Sequence, residues 1–448
     1  MRAVAVASVV VAVCAAPTAA AVTPPQIDDA LLPPARPPAP RAPTEQTAAC
    51  PVVPRMTGPA ARLPYLTELE AVWRMTKGAG QTVAVIDTGV ARHRLLPHLL
   101  PGGDYVSTGD GTQDCDGHGT IVAGIIGAAR PEGADARFAG IASDAGIIGI
   151  RQSSNVFRPS GGAAAPGVGD VDTLAAAVRT AADVGATVIN ISSVACMPAD
   201  QSLDDRSLGA ALAYAVDVKN VVVVSAAGNV GGAGQCREQN PPPDPAHPGR
   251  PDWDAVDVVV SPAWYDDYVL TVGSVDGAGR PSAFTMAGPW VDVAAPGEAV
   301  VSLSPDGEGL VDSVPGAVAP KPISGTSYAA PVVTGIAALV RAMAPRLTAR
   351  QVMRRIEDTA HHPAAGWDPW VGHGVVDALA AVSAEGVRPT APPTQAPSAQ
   401  MGPEPPAGDT ASRRTSLVGA AACIGAAAIA MTLSAGRLRR RRESISHD

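Results

Sequence analysis

The chain has 448 residues, a formal net charge of −9 and 46% hydrophobic residues, which gives room for one large core plus tails. Aromatics make up only 3% against 46 glycines, so that core must be built from small aliphatic side chains at close backbone approach. The acidic balance, with its one basic run at the C-terminus, excludes a nucleic-acid partner.

Met1-Arg2, an apolar run over 3–16 and the small residues Ala19-Ala20-Ala21 read as a signal peptide over 1–21. Val13 stands before Cys14, where a lipoprotein signal would carry Gly, Ala or Ser. Residues 22–64 are crowded with Pro and Ala, which block helices and central strands, and predict an extended arm wrapped on the domain. The globular domain is expected over 65–386. Within it, short β-branched runs predict strands over 82–86, 145–150, 187–191, 221–225 and 269–272. Small and apolar residues at helical spacing predict helices over 171–184 and 207–218. This alternation is that of a parallel sheet flanked by helices. Two stretches rich in Gly, Ala and Pro, 152–170 and 230–250, predict surface loops.

A Pro/Ala/Thr-rich linker follows over 387–415. Residues 416–436 then hold an uncharged apolar run, long enough at about 1.5 Å per residue to span a hydrocarbon core of about 30 Å. Five arginines follow directly in the tail, 437–448, against Arg413 and Arg414 before the span. That bias places the tail in the cytoplasm and the main domain outside, at a cell membrane crossed once. With Cys14 in the signal and Cys423 in the span, Cys50, Cys115, Cys196 and Cys236 remain for an oxidising compartment, where three pairings are open. The cysteines form no C-x-x-C pair, and His361, His362 and His373 lack ligands at metal spacing, so they read as surface histidines. No metal or other cofactor is expected.

Three motifs stand where strands or loops meet helices. The run Val83-Ala84-Val85-Ile86-Asp87-Thr88-Gly89 is an apolar strand ending in a carboxylate, at the sheet edge where α/β sites form. D-T-G also marks aspartic proteases, but that chemistry needs two such carboxylates and the chain has no second D-[ST]-G. Asp116-Gly117-His118-Gly119-Thr120 opens a helical run over 121–128, leaving an approachable imidazole. Gly325-Thr326-Ser327-Tyr328-Ala329-Ala330-Pro331 opens an apolar helix reaching about Met343, with Ser327 at its N-terminus, where free N–H groups stabilise a developing oxyanion. Pro331 is expected in the first turn, where its missing N–H costs little. After the strand at 221–225, Ala226-Ala227-Gly228-Asn229 brings an amide able to donate a second oxyanion hydrogen bond. Each piece alone has a plainer reading: Asp87 in a turn, His118 or Ser327 as a cap, Asn229 in an Asx-turn. Together, the order Asp, His, Asn, Ser in these contexts is the subtilisin order, unlike those of chymotrypsin and the α/β-hydrolases.

On these residues the chain resembles the subtilase family over roughly 81–383. Its signal, cysteine-bearing arm, linker, span and basic tail, with Ser261-Pro262-Ala263-Trp264-Tyr265-Asp266-Asp267-Tyr268, resemble the mycosins, membrane-anchored proteases of actinobacterial type VII secretion. The resemblance implies an α/β, subtilisin-like three-layer domain with a mostly parallel sheet flanked by helices, plus one C-terminal transmembrane helix. It implies a serine endopeptidase acting through an acyl-enzyme. Asp87 would orient and stabilise the imidazolium, His118 would move the proton, Ser327 would attack, and Asn229 would hold the oxyanion. Ser192-Ser193-Val194 and Gly228 would line the substrate. Val194 and Ala195 stand where subtilisins carry two glycines. The resemblance further implies disulfides Cys50–Cys115 and Cys196–Cys236. It names as partners protein or peptide substrates, membrane lipid around the C-terminal helix, and subunits of a type VII secretion membrane complex. A structural role within that complex is the alternative function.

Overall fold

The computed structural model describes residues 22–58, 66–130, 138–161, 167–201, 203–231, 236–316 and 318–383. The expected signal peptide, linker, membrane span and basic tail lie outside the described residues, as does the end of the arm.

Seven strands form one sheet: β1 (Thr82–Asp87), β2 (Leu99–Asp104), β3 (Gly146–Arg151), β4 (Val188–Ile191), β5 (Val222–Ala226), β6 (Leu270–Val275) and β7 (Val293–Pro296). Their spatial order is β7-β6-β5-β4-β1-β3-β2, and every neighbouring pair is parallel. The central strands are buried almost throughout, which is why they read as continuous Val/Ile runs rather than as alternating patterns. Helices enclose the sheet: α1 (Leu66–Trp73), α2 (His118–Gly127), α3 (Val171–Asp183), α4 (Arg206–Ala213), α5 (Thr326–Met343), α6 (Ala349–Asp358) and α7 (Ala378–Ser383). Helix α2 packs with α5, and α3 with α4. From β1 the chain passes to the edge strand β2 and back to β3 on one side, then crosses to β4 and runs outward to β7 on the other, so the crevice between the carboxyl ends of β1 and β4 is a topological switch point.

Helix starts follow from local chemistry. Asp170 and Thr173 close a capping box on α3, and Thr348 and Gln351 close one on α6. Helix α5 is apolar and long enough to cross a bilayer, yet it is a core helix, buried at 15 of its 18 residues. It lies so near residues 138–143 that a Cβ on Gly335 would sit 2.4 Å from Ile141 Cβ.

The helix expected over 207–218 is α4 followed by a wider π turn, Tyr214–Val218. There the Tyr214 hydroxyl reaches Asp183 at the end of α3 at 2.7 Å, under the Arg179 guanidinium. Strand β2 lies at the sheet edge with a register shift between Pro101 and Gly103, the position in which a Pro-Gly-Gly run is tolerated. The stretch expected as a loop over 152–170 holds a short strand, Phe157–Pro159, paired antiparallel with Thr44–Gln46 of the arm.

The described part of the arm, 22–58, crosses the domain as a belt. Val22 N–H donates to Trp253 O at 3.0 Å. The 3₁₀ turn Asp29–Leu31 packs on α4. Arg41 pairs with Asp170 at 3.2 Å and Asp172 at 2.8 Å. Beyond the short strand come the Cys50–Cys115 disulfide, an Arg55–Asp306 pair at 2.6 Å, and Met56 N–H on Leu310 O at 2.7 Å.

Candidate active site

The switch-point crevice gathers the motif residues. Asp87, last in β1, is 1% exposed, and its Oδ1 accepts both His118 Nδ1 and the Thr88 N–H, each at 2.7 Å. Its Oδ2 is buried with no partner among the described residues. Glycine makes this pairing possible: a Cβ on Gly119 would lie 2.0 Å from Gly89 O and 3.0 Å from Asp87 Cβ. Burial works against a charged His118, but the Asp87 charge and hydrogen bond outweigh it, with Asp114 and Asp116 adding to them. The imidazole pKa therefore lies above its ordinary value. Tyr328 covers the ring from α5, with centroids 5.3 Å apart.

Ser327 is the second residue of α5, where backbone N–H groups have no partner within the helix. Its hydroxyl donates to Ser192 O at 2.9 Å, and Ser192 Oγ donates back to Ser327 O at 3.0 Å. The second bond corrects the expectation for Pro331. That proline is the sixth helical residue, not a first-turn residue; its missing N–H frees the Ser327 carbonyl four residues earlier, and the Ser192 hydroxyl satisfies it. Asn190 continues the chain, with Nδ2 donating to Ser192 Oγ at 2.8 Å and Oδ1 accepting from Thr334 Oγ1 at 2.8 Å. Buried polar groups thereby lock the register of α5 on β4.

Asn229 follows β5. Its Oδ1 accepts the Thr326 N–H at 2.9 Å and Thr326 Oγ1 at 3.1 Å, which leaves Nδ2 as the group free to donate beside Ser327. Gly228, at φ 96°, donates to Thr326 Oγ1 at 3.2 Å. A Cβ on Gly228 would lie 3.2 Å from Cys236 Sγ and 3.5 Å from both Met286 Cβ and Val194 Cγ2. Val194 and Cys236 therefore both stand close beside Gly228. Disulfides join Cys50 to Cys115 and Cys196 to Cys236. The first sits on the loop leading to His118, and the second beside Gly228.

Sequence reasoning passes over Asp114, Thr88, Thr326 and Tyr328, all of which contact this constellation. For Asp114 the available signal is a second carboxylate inside Asp114-Cys115-Asp116-Gly117-His118.

The arrangement offers a serine hydroxyl at a helix N-terminus, an imidazole held by a buried carboxylate, and the Asn229 amide anchored on the serine turn, a set that suits acyl transfer. The subtilase family model matches residues 78–379. The chain is 57% identical over 441 residues to Mycosin-4 of Mycobacterium tuberculosis, covering 96% of this chain and 95% of that one. It is 47% identical over 390 residues to Mycosin-1 of the same organism, covering 84% and 85%. Among solved structures it resembles MycP1 from the ESX-1 type VII secretion system, with 44% identity, a TM-score of 0.75, and coverage of 82% of this chain and 97% of that one. It also resembles a chain of the periplasmic assembly from the ESX-5 inner membrane complex, with 43% identity, a TM-score of 0.76, and coverage of 86% and 100%.

Proposed function

The chain belongs to the subtilase family of serine proteases, and from that premise we propose that Asp87, His118 and Ser327 are its catalytic triad, acting outside the cell membrane on exported proteins of a type VII secretion system. The observation that carries this reading is the 2.7 Å bond between His118 Nδ1 and the buried Asp87, beside a serine that opens α5. On attack, the Ser327 hydroxyl turns from Ser192 O toward His118 Nε2, which takes its proton and later passes it to the leaving amine. Asp87 stabilises the imidazolium formed meanwhile. Asn229 Nδ2 and the Ser327 N–H hold the tetrahedral oxyanion. The apolar run over 416–436 anchors the enzyme, with the linker before it and a cytoplasmic tail after it.

The slot between Ser192-Ser193-Val194 and Gly228 receives the side chain on the acyl side of the scissile bond. A flat ring needs about 3.5 Å to carbon on each face, about 7 Å in all, whereas Val194 Cγ2 stands 3.5 Å from where a Gly228 Cβ would be, hence at most about 5 Å from Gly228 Cα. Small side chains fit there. Val194→Gly is expected to raise kcat/KM on peptides with a large residue at that position by about tenfold; unchanged selectivity would sink the assignment of the slot.

The direct test is labelling with a fluorophosphonate and locating the adduct by peptide mass. An adduct confined to Ser327, and absent from Ser327→Ala, supports the triad. A reactive protein labelled elsewhere refutes it. A second reading, that the chain also serves as a building part of the secretion complex, draws on its likeness to a chain solved inside the ESX-5 inner membrane complex. Under that reading Ser327→Ala leaves secretion intact, whereas deletion of 417–435 abolishes it.

A further inference from the structure

Beside the Asp87–His118 pair lies a second carboxylate that the triad chemistry does not use. Asp114 is half-buried with its carboxylate turned inward. Its Oδ1 accepts the Thr88 hydroxyl at 2.8 Å and the Gly117 N–H at 2.7 Å; its Oδ2 accepts the N–H and hydroxyl of Thr120 at 2.8 Å and 2.6 Å. The bonds reach two separate segments. Thr88 directly follows Asp87, and its hydroxyl accepts the Gly119 N–H at 3.0 Å. Gly117 and Thr120 bracket His118 in the first turn of α2. That turn needs an outside acceptor, because its N-cap residue is Gly117, at φ 86° and without a capping side chain.

We propose that Asp114 is a positioning residue for proton transfer, fixing the first turn of α2 against the end of β1 and so setting the alignment of His118 on Asp87. It rests on the triad reading above. Asp114 bonds to Thr88, Gly117 and Thr120 and not to Ser327, and acts through the imidazole.

Its titration gives a readout that a merely structural residue lacks. Burial pushes the Asp114 carboxyl up to about 6, against its four hydrogen bonds. On protonation, one acceptor oxygen becomes a donor and must expel one of its four partners. The groups facing His118 are Asp87 from β1, Asp114 and Asp116 from the preceding loop, and Tyr328 from α5. On the acid side the wild type therefore loses activity through two protonations, of His118 and of Asp114. A plot of log kcat/KM against pH there is steeper than a slope of one.

The test is steady-state hydrolysis of a peptide by the purified full chain between about pH 5 and 8, for wild type, Asp114→Asn and Thr88→Val. The Asn amide keeps the size, but its NH₂ group cannot accept from Thr120. Asp114→Asn is expected to lower kcat about 10- to 100-fold, the scale of a small misplacement of a catalytic group, with KM within about twofold. Its acid limb should become single-proton and move to lower pH, because a negative charge near the imidazole is gone. Thr88→Val should reproduce the loss in kcat while keeping the two-proton limb. Unchanged kcat in either variant overturns the proposal. So does a loss in Asp114→Asn whose acid limb stays where it was and as steep, since that marks a residue needed only for folding. If Asp114→Asn fails to fold, Thr88→Val decides alone. A wild type inert toward both peptide and fluorophosphonate refutes the protease reading instead.

Discussion

Ser327 and His118 are brought to the same crevice by different means. The serine turn is registered from within: Thr334, Asn190 and Ser192 link α5 to β4, Asn229 links it to β5, and the rest of α5 is packed in the core. The histidine turn is held from its flank. Asp114 ties it to Thr88, Asp116 accepts from Ser154 and Asn155 at 2.5 Å and 2.7 Å, and Cys115 is bonded to the arm. Packing inside the core responds to volume, whereas the flank responds to charge and redox state. One half of the site should therefore be broken by steric change, and the other by chemistry that leaves every volume alone.

The largest effect falls on both halves equally. Ser327→Ala should reduce kcat by on the order of 10⁴-fold or more with KM little changed; residual turnover near wild type, after excluding a contaminating protease, would remove Ser327 from the mechanism. Next comes the flank. Cys50→Ser with Cys115→Ser opens a link across 65 residues, and loop-closure entropy sets a cost of about 4 kcal/mol. The expected result is a lower Tm in thermal denaturation, with wild type under reductant falling at least as far because Cys196–Cys236 opens as well; an unchanged Tm would show that the belt of hydrogen bonds suffices. Asn229→Ala removes a donor fixed from the core side and should cost about 3 to 4 kcal/mol in kcat, or 10²- to 10³-fold, with KM nearly constant. A loss appearing mainly in KM would give Asn229 a ground-state role. Smallest is Gly335→Ala, which presses α5 on Ile141 and should destabilise by about 1 to 3 kcal/mol. Its effect should be insensitive to reductant, unlike that of the cysteine pair. If reductant deepens it, the two halves are not independently held.

The parts legible in the sequence share one property: they are contiguous. Asp87, His118, Asn229 and Ser327 each sit in a short motif at the end of a strand or the start of a helix, so local chemistry and order suffice to single them out as candidates. The strands β1, β3, β4, β5 and β6 are legible because burial on both faces leaves unbroken β-branched runs. Strand β2 is hidden by Pro101-Gly102-Gly103, residues that an edge position admits and a strand pattern does not. The bond from Ser192 to the Ser327 carbonyl, and hence the place of Pro331, joins residues 135 apart and leaves no local trace. For the arm, proline content predicts extension but not its path, which depends on Trp253, Asp170, Val156 and Leu310 lying along one surface.

The Cys50–Cys115 bond also changes what a cut means. It closes a covalent ring through the arm, α1, β1 and β2, so hydrolysis of any single peptide bond between residues 50 and 115 leaves one molecule, not two. Such a nicked protein would run as a full-length band on a denaturing gel and fall into two fragments only with reductant. The arm would remain tethered three residues from His118 after its own backbone had been severed.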